Sequence, residues 1–444
     1  MALLTKEKTL SRRERLEALF HQYPDANREV IFKEDVLREG YSYTEAALRA
    51  VEGARQPFYN VYIYDRASKD EFKLNEPLRA PDYIHLHGGL YGLRGSVSIG
   101  QILTPHSPYV VDVVDGQLSL CEREDSRMVP LAEVEEADPV PEYWSRRFED
   151  GELMCHQAGP GWVTAFNNCQ YWGPKEECIF CNINTSAREA RRRGEVGSRP
   201  YKDPHKVGLA LEEQYKRCTW PPGTSPDWVR ITGGQITGKL AGKGEVDFYL
   251  QYVDAIVERI GEVWPINLAM TPQPLQSAKR LREHGVHTRS VNFEVWDREL
   301  FKLVCPGKER YVGRDEWLRR SIGEIEVFGV GGHVTPRFCA GIEVIKPWGF
   351  DTLEEGLQST REGLEFFMSH GAVPRPVSLR IEQGTALSKL VGFNAYPPVD
   401  YFIQLDIIWY ELWQKYRPGH VDARDPIGPG INRYGYNAAE DMGA

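Results

Sequence analysis

The chain has 444 residues with 54 basic and 64 acidic side chains, a formal net charge of −10. The length suggests two or three domains, or one large α/β barrel with additions, and 41% hydrophobic and 11% aromatic residues are ample for a packed core, which excludes a wholly disordered chain. The acidic balance argues against a nucleic-acid binder, which needs a basic surface, and no apolar run approaches the roughly 20 residues of a membrane helix.

The opening MALLTKEKTLSRRERLEALF is too charged for a secretory leader, so a cytoplasmic location is expected. Residues 1–56 read as a helical segment, with LSRRERLEALFHQY and SYTEAALRAVEGA placing apolar residues at helical spacing. From 57 to 154 the runs NVYIYDR, YIHLHGGLYG, GSVSIG, YVVDVVDG and QLSLCERE are short and separated by Gly, Pro and Asp. They predict an antiparallel β-rich accessory module. His85 and His87 alternate in one such run, a weak metal signal by itself.

Residues 155–390 repeat strand, loop and helix. Strands are predicted at 162–168, 228–232, 266–270, 287–295, 333–345 and 377–382, with helices at 206–218, 246–261, 274–284, 313–328 and 352–370. Such alternation implies a parallel sheet with right-handed crossovers. Six units are too few for a closed eight-fold barrel, so the expected fold is α/β: an open, TIM-like partial (β/α)6 barrel. A C-terminal helical tail, 391–444, carries VDYFIQLDIIWYELWQKY and a Gly/Pro-rich end.

Eight cysteines are too sparse for a disulfide scaffold. Only Cys169, Cys178 and Cys181 are grouped, on the loop after the first barrel strand, where parallel α/β folds place functional groups. Three thiolates can hold a cubane iron–sulfur cluster and leave one iron open to a further ligand. A closed zinc site is the alternative, with Cys155 or His156 as fourth ligand.

With its neighbouring motifs, this group resembles that of the radical S-adenosylmethionine (radical SAM) superfamily, whose three cysteines follow the first strand of a partial (β/α)6 barrel. The first spacing here is eight residues, where the common form has three. The resemblance implies a [4Fe-4S] cluster on Cys169, Cys178 and Cys181, with Phe180 near the adenine of S-adenosylmethionine. Gly233, Gly234 and Gln235 stand where the family has a Gly-Gly-Glu-like segment at the methionine amino group. Ser290, Asn292 and Glu294, on one face of the fourth strand by alternation, take the place of family groups that meet the ribose and methionine carboxylate. Ile342 falls in a segment resembling the one beside the adenine. Arg337, Arg380 and Glu382 are candidates for substrate contact.

The resemblance, over about residues 160–390, implies reductive cleavage of S-adenosylmethionine to a 5′-deoxyadenosyl radical that abstracts hydrogen from a substrate. It also implies an electron donor such as flavodoxin or ferredoxin. No second cysteine cluster follows the barrel, and no cobalamin module is recognisable in the first 150 residues. A small-molecule substrate is expected before a peptide or protein, with the accessory module capping the barrel mouth. Two rival readings are cluster-dependent transfer of the aminocarboxypropyl group and a non-catalytic zinc-stabilised α/β binding protein.

Overall fold

The computed structural model describes residues 11–54, 80–192, 199–418 and 438–442, apart from 82, 101, 105, 125–126, 136–139, 222–224, 383, 393–394 and 440–441. The NVYIYDR run lies outside the described residues, as does most of the Gly/Pro-rich end.

Helix α1 (Arg12–Gln22) begins in a capping box. The Ser11 hydroxyl accepts from Glu14 N–H, and the Glu14 carboxylate reaches back to Ser11 N–H. In α2 (Arg28–Glu39), Val30, Ile31, Phe32, Val36 and Leu37 are buried. A short strand β1 (Ser42–Tyr43) and helix α3 (Glu45–Ala50) follow. Next come β2 (Tyr83–Gly88), β3 (Leu93–Gly100), β4 (Tyr109–Val114), β5 (Gln117–Glu124) and β6 (Arg127–Val134). They form one sheet in the order β1-β4-β5-β6-β2-β3, antiparallel except where β1 joins β4. Sequence reading misses β6, which carries Pro130 in its middle. The proline is accommodated opposite Cys121, where the β5–β6 register shifts.

The second sheet holds β7 (Trp162–Phe166), β8 (Val229–Gly233), β9 (Ile266–Ala269), β10 (Val286–Glu294), β11 (Val334–Ala340) and β12 (Arg375–Ser378). All neighbours are parallel and in sequential order, an open partial (β/α)6 barrel. Helices α4 (Ile183–Arg192) and α5 (Pro204–Lys216) follow β7, α6 (Glu245–Ile260) follows β8 and α7 (Leu275–Glu283) follows β9. After β10 come α8 (Arg298–Val304), α9 (Pro306–Tyr311) and α10 (Arg314–Phe328). Helix α11 (Leu353–Ser369) follows β11, α12 (Ala386–Val391) follows β12, and α13 (Val399–Tyr416) closes the described tail. The short helices α4, α8, α9 and α12 have too few turns to show a clear apolar period.

Two strand ends differ from expectation. The fifth strand stops at Ala340 because Gly341 takes a φ of +102°, and Ile342–Val344 form a 3-10 turn. The sixth strand ends at Ser378, so Arg380 and Glu382 stand on the loop beyond it.

One face of the barrel strands, with Val163, Ile231, Leu268, Val291 and Phe293, shares an apolar core with Phe248, Tyr252 and Phe367 of the helices. Alternate residues meet in a polar floor. Arg230 Nη2 donates to Ser290 Oγ at 3.3 Å, Ser290 Oγ to Asn267 Oδ1 at 3.1 Å and Asn267 Nδ2 to Thr288 Oγ1 at 2.8 Å. The N-terminal helices and the first sheet share a second core. Helix α13 enters both: Tyr401, Leu405 and Trp409 join the barrel core, and Val399 and Ile403 the N-terminal one. Among the described residues no helix is long and apolar enough to cross a membrane.

Candidate active site

The eight-residue spacer between Cys169 and Cys178 is held by buried Asn184 at the start of α4. Cys169 N–H donates to Asn184 Oδ1 at 2.8 Å, and Asn184 Nδ2 donates to Tyr171 O at 3.0 Å and Glu177 Oε1 at 3.2 Å. On the other side the loop docks on α9. Tyr171 stacks on Tyr311 with ring centroids 5.7 Å apart, and Gly307 N–H donates to Glu176 O at 3.0 Å. A Cβ at Gly307 would lie 2.4 Å from that carbonyl, so glycine is needed for the approach. Cys181 N–H donates to Cys178 O at 3.0 Å, closing a turn over Ile179 and Phe180.

These three cysteines line a cavity of about 330 Å³ at the carboxyl ends of the strands. Phe180, Gly233, Gly234, Gln235, Asn292, Glu294, Arg337, Arg380 and Glu382 line it too. Twelve of the fourteen sequence-derived candidates are thus brought together. The other two are not at its wall. Ser290 is tied into the polar floor, and Ile342 packs with Ile179, Val295 and Leu379 in an apolar cluster. A larger groove of about 580 Å³ between α10 and α11 is lined by Trp296 and several glutamates and touches none of the cysteines.

The glycine pair has a packing cause. A Cβ at Gly234 would lie 1.9 Å from Asn168 O and 2.5 Å from Cys169 Cα. Only glycine lets the end of β8 meet the cysteine loop this closely. The next residue then donates its backbone N–H to Cys169 Sγ, Gln235 N to sulfur 3.4 Å. Such a bond stabilises a thiolate or a metal-bound sulfur.

The facing wall comes from β10 and α9. Strand alternation carries Asn292 to the cavity, opposite Arg337 in register, and a bulge with φ +79° at Glu294 brings that carboxylate in as well. Lys308 Nζ donates to Asn292 O at 2.6 Å and Glu294 Oε1 at 2.7 Å, and lies 4.6 Å from the centroid of the Trp317 ring. Burial acts to lower the lysine pKa, but Glu294 outweighs it and holds the ammonium charged. Sequence reading passed over Lys308, Tyr171, Asn184 and Cys339. A lysine in a short polar helix carries no periodic signal that it turns inward.

The donor set fits an iron–sulfur cluster. Burial pushes the Cys169 thiol up to about 12, and the Cys305 thiol together with burial holds Cys178 well above the ordinary thiol range. A metal bound there would supply the positive charge that such thiols need in order to ionise. Asn292 Oδ1 is buried with no hydrogen-bond partner among the described residues, so the cavity wall holds an acceptor awaiting a donor. The zinc alternative finds no fourth ligand in this cavity: Cys155 and His156 do not line it, and the Cys155 thiol faces Trp144 O at 3.9 Å. Among the described residues no three His, Cys, Asp or Glu side chains are grouped to hold a single metal ion.

No family model matches the chain. Bacteriochlorophyllide c C-7(1)-hydroxylase from Chlorobaculum limnaeum is 22% identical over 146 residues, 33% of this chain and 32% of that protein. The chain therefore matches about a third of the length of that curated relative. Among solved structures, methylornithine synthase (PylB) has a TM-score of 0.40 at 16% identity, covering 63% of this chain and 72% of its own. Coproporphyrinogen III oxidase (HemN) from Escherichia coli, described as a radical SAM enzyme, has a TM-score of 0.35 at 12% identity, with 61% and 56% covered. The sequential parallel strands, the three cysteines after the first and the glycine pair after the second are the features on which the sequence resembles the radical SAM superfamily, with a C-x8-C-x2-C loop of its own.

Proposed function

We propose that the chain is a radical SAM enzyme, with Cys169, Cys178 and Cys181 holding a [4Fe-4S] cluster and the rest of the cavity taking S-adenosylmethionine and a small substrate. The carrying observation is the convergence of the three thiols, the glycine pair and the orphan Asn292 oxygen on one cavity. When bound, the cluster supplies the electron that cleaves S-adenosylmethionine to a 5′-deoxyadenosyl radical, which takes hydrogen from the substrate. In this reading Gly233, Gly234 and Gln235 hold the amino end of the methionine. Phe180 packs on the adenine, and Asn292 and Glu294 bind polar groups. Ser290 and Ile342 brace this wall from the floor and from behind it.

The substrate side is assigned to Arg337, Arg380 and Glu382, at the β11–β12 end of the cavity. Guanidinium groups beside a carboxylate suit a polar metabolite with an anionic group. Helix α2 borders this end. Ser378, a wall residue, donates to the Glu34 carboxylate at 3.1 Å, so the N-terminal segments have a route to specificity. Flavodoxin or ferredoxin as electron donor belongs to the same reading.

Anaerobic reconstitution tests it. The protein is expected to turn brown and bind about four irons per chain, and Cys169→Ala, Cys178→Ala or Cys181→Ala is expected to abolish retention. Reduction with dithionite should release 5′-deoxyadenosine from S-adenosylmethionine. Release of methylthioadenosine instead would favour aminocarboxypropyl transfer, and a colourless protein with one zinc would remove the radical reading.

A further inference from the structure

Hydrogen-bond counting behind the cysteine loop leads to a residue that no cavity contact identifies. The Thr271 hydroxyl, just past β9, has one proton and two acceptors facing it, the Gln235 amide oxygen and Glu245 Oε1 at 3.0 Å. Glu245 begins α6 and also accepts from Ile236 N–H at 3.2 Å and Gln273 Nε2 at 3.0 Å. When Glu245 is ionised it can only accept, so the Thr271 proton goes to it. Thr271 Oγ then needs a donor from Gln235, and the amide must turn to supply its Nε2. Oxygen and nitrogen of an amide are interchangeable in shape, so this turn needs no movement of neighbours. It turns Gln235 Oε1 away from Thr271, on a residue that lines the cavity.

We propose that Glu245, acting through Thr271, is a positioning residue that holds the Gln235 amide with its oxygen toward the cavity, where it accepts a hydrogen bond from a ligand ammonium group. Resting on the radical SAM reading, that group is the amino group of S-adenosylmethionine. A glutamine in the third place of the Gly-Gly segment lacks the charge that would attract an ammonium. The carboxylate two hydrogen bonds behind it makes up for that by orientation.

A pH dependence follows. Glu245 is buried, and burial, opposed by its hydrogen bonds and by Arg289, raises its pKa to about 7. The titratable groups around it are Arg289 with its partner Glu324, and the phenols of Tyr249 and Tyr171, both pushed far above neutrality by burial. Burial raises the Glu324 carboxyl too, so Glu245→Gln is the variant that separates the relay from its neighbour. Above about pH 7 the carboxylate holds the amide oxygen-in. Below it, a protonated Glu245 can donate to Thr271, which then donates to Gln235 Oε1 and presents the amide nitrogen to the ammonium.

The test uses anaerobically reconstituted full-length protein, with equilibrium dialysis of S-adenosylmethionine and of methylthioadenosine, which lacks the amino and carboxylate groups. Thr271→Val and Glu245→Gln are expected to keep iron content unchanged and weaken S-adenosylmethionine about five- to ten-fold, with methylthioadenosine unmoved. Wild-type affinity should fall between pH 8 and pH 6, and that of the variants should stay flat. Equal weakening of both ligands, unchanged affinity in both variants, or a variant that keeps the wild-type pH profile overturns the relay. A wild-type protein that holds its cluster and binds no S-adenosylmethionine overturns the radical SAM reading, and the relay with it.

Discussion

Single side chains decide whether the cysteine loop is a site or a disordered spacer. Asn184 satisfies the Cys169 amide and two further groups of the loop from a position 3% exposed. Removing it strands the Cys169 donor and the Tyr171 acceptor, a loss of about 1–3 kcal/mol. Asn184→Ala is therefore expected to lower the denaturant midpoint and to reduce iron retained after reconstitution, while Asn184→Asp keeps the bond to Cys169 N–H and recovers part of the iron. Equal iron in wild type and Asn184→Ala would show that the loop closes without this brace. The presence of an asparagine was legible in the sequence, but nothing at position 184 marks it as facing back to Cys169.

The elements around the site are joined by buried polar groups as well as by apolar packing. The turn after β11 carries Glu343, fully buried, whose Oε2 accepts from Gly341 N–H at 2.9 Å and from the Tyr401 hydroxyl of α13 at 3.0 Å. The same hydroxyl lies 2.9 Å from Thr360 Oγ1 of α11, so one carboxyl links three elements. Burial raises its pKa to about 7 from an ordinary 4.5, the unfolded value. Between those values the folded chain keeps a proton that the unfolded chain releases, so this group's contribution to stability falls as pH rises through the window. Glu343→Gln, which cannot ionise, should gain in melting temperature relative to wild type between pH 5 and pH 8. Thermal melts at both pH values check this, and a constant offset would contradict it.

At the scale of the whole molecule, α13 is the shared element. Its Val399 and Ile403 lie in the N-terminal core and its Trp409 in the barrel core, with Trp409 Nε1 donating to Pro374 O at 2.8 Å. A helix common to two cores couples their unfolding. Ile403→Ala, at a fully buried position, should cost about 2–5 kcal/mol, and both parts should melt earlier in a single transition. Calorimetry checks this: two separated transitions, with only the first moved, would show that the cores fold independently. The same coupling keeps α2 at the β12 edge, where an open barrel exposes its last strand.

Local pattern determined the order of elements. Apolar periodicity and Gly-bearing helix stops were sufficient for six strands, the principal helices between them and an open parallel sheet, because these depend on residues close in the chain. The cysteine group and the glycine pair were visible for the same reason. Tertiary structure alone decided which groups meet. Lys308 reaches Glu294 because a bulge turns β10, Arg380 and Glu382 sit on a loop because β12 is short, and Glu245 stands behind Gln235 because α6 begins beside the end of β9. These contacts depend on register and packing between distant segments, and no spacing within one segment encodes them.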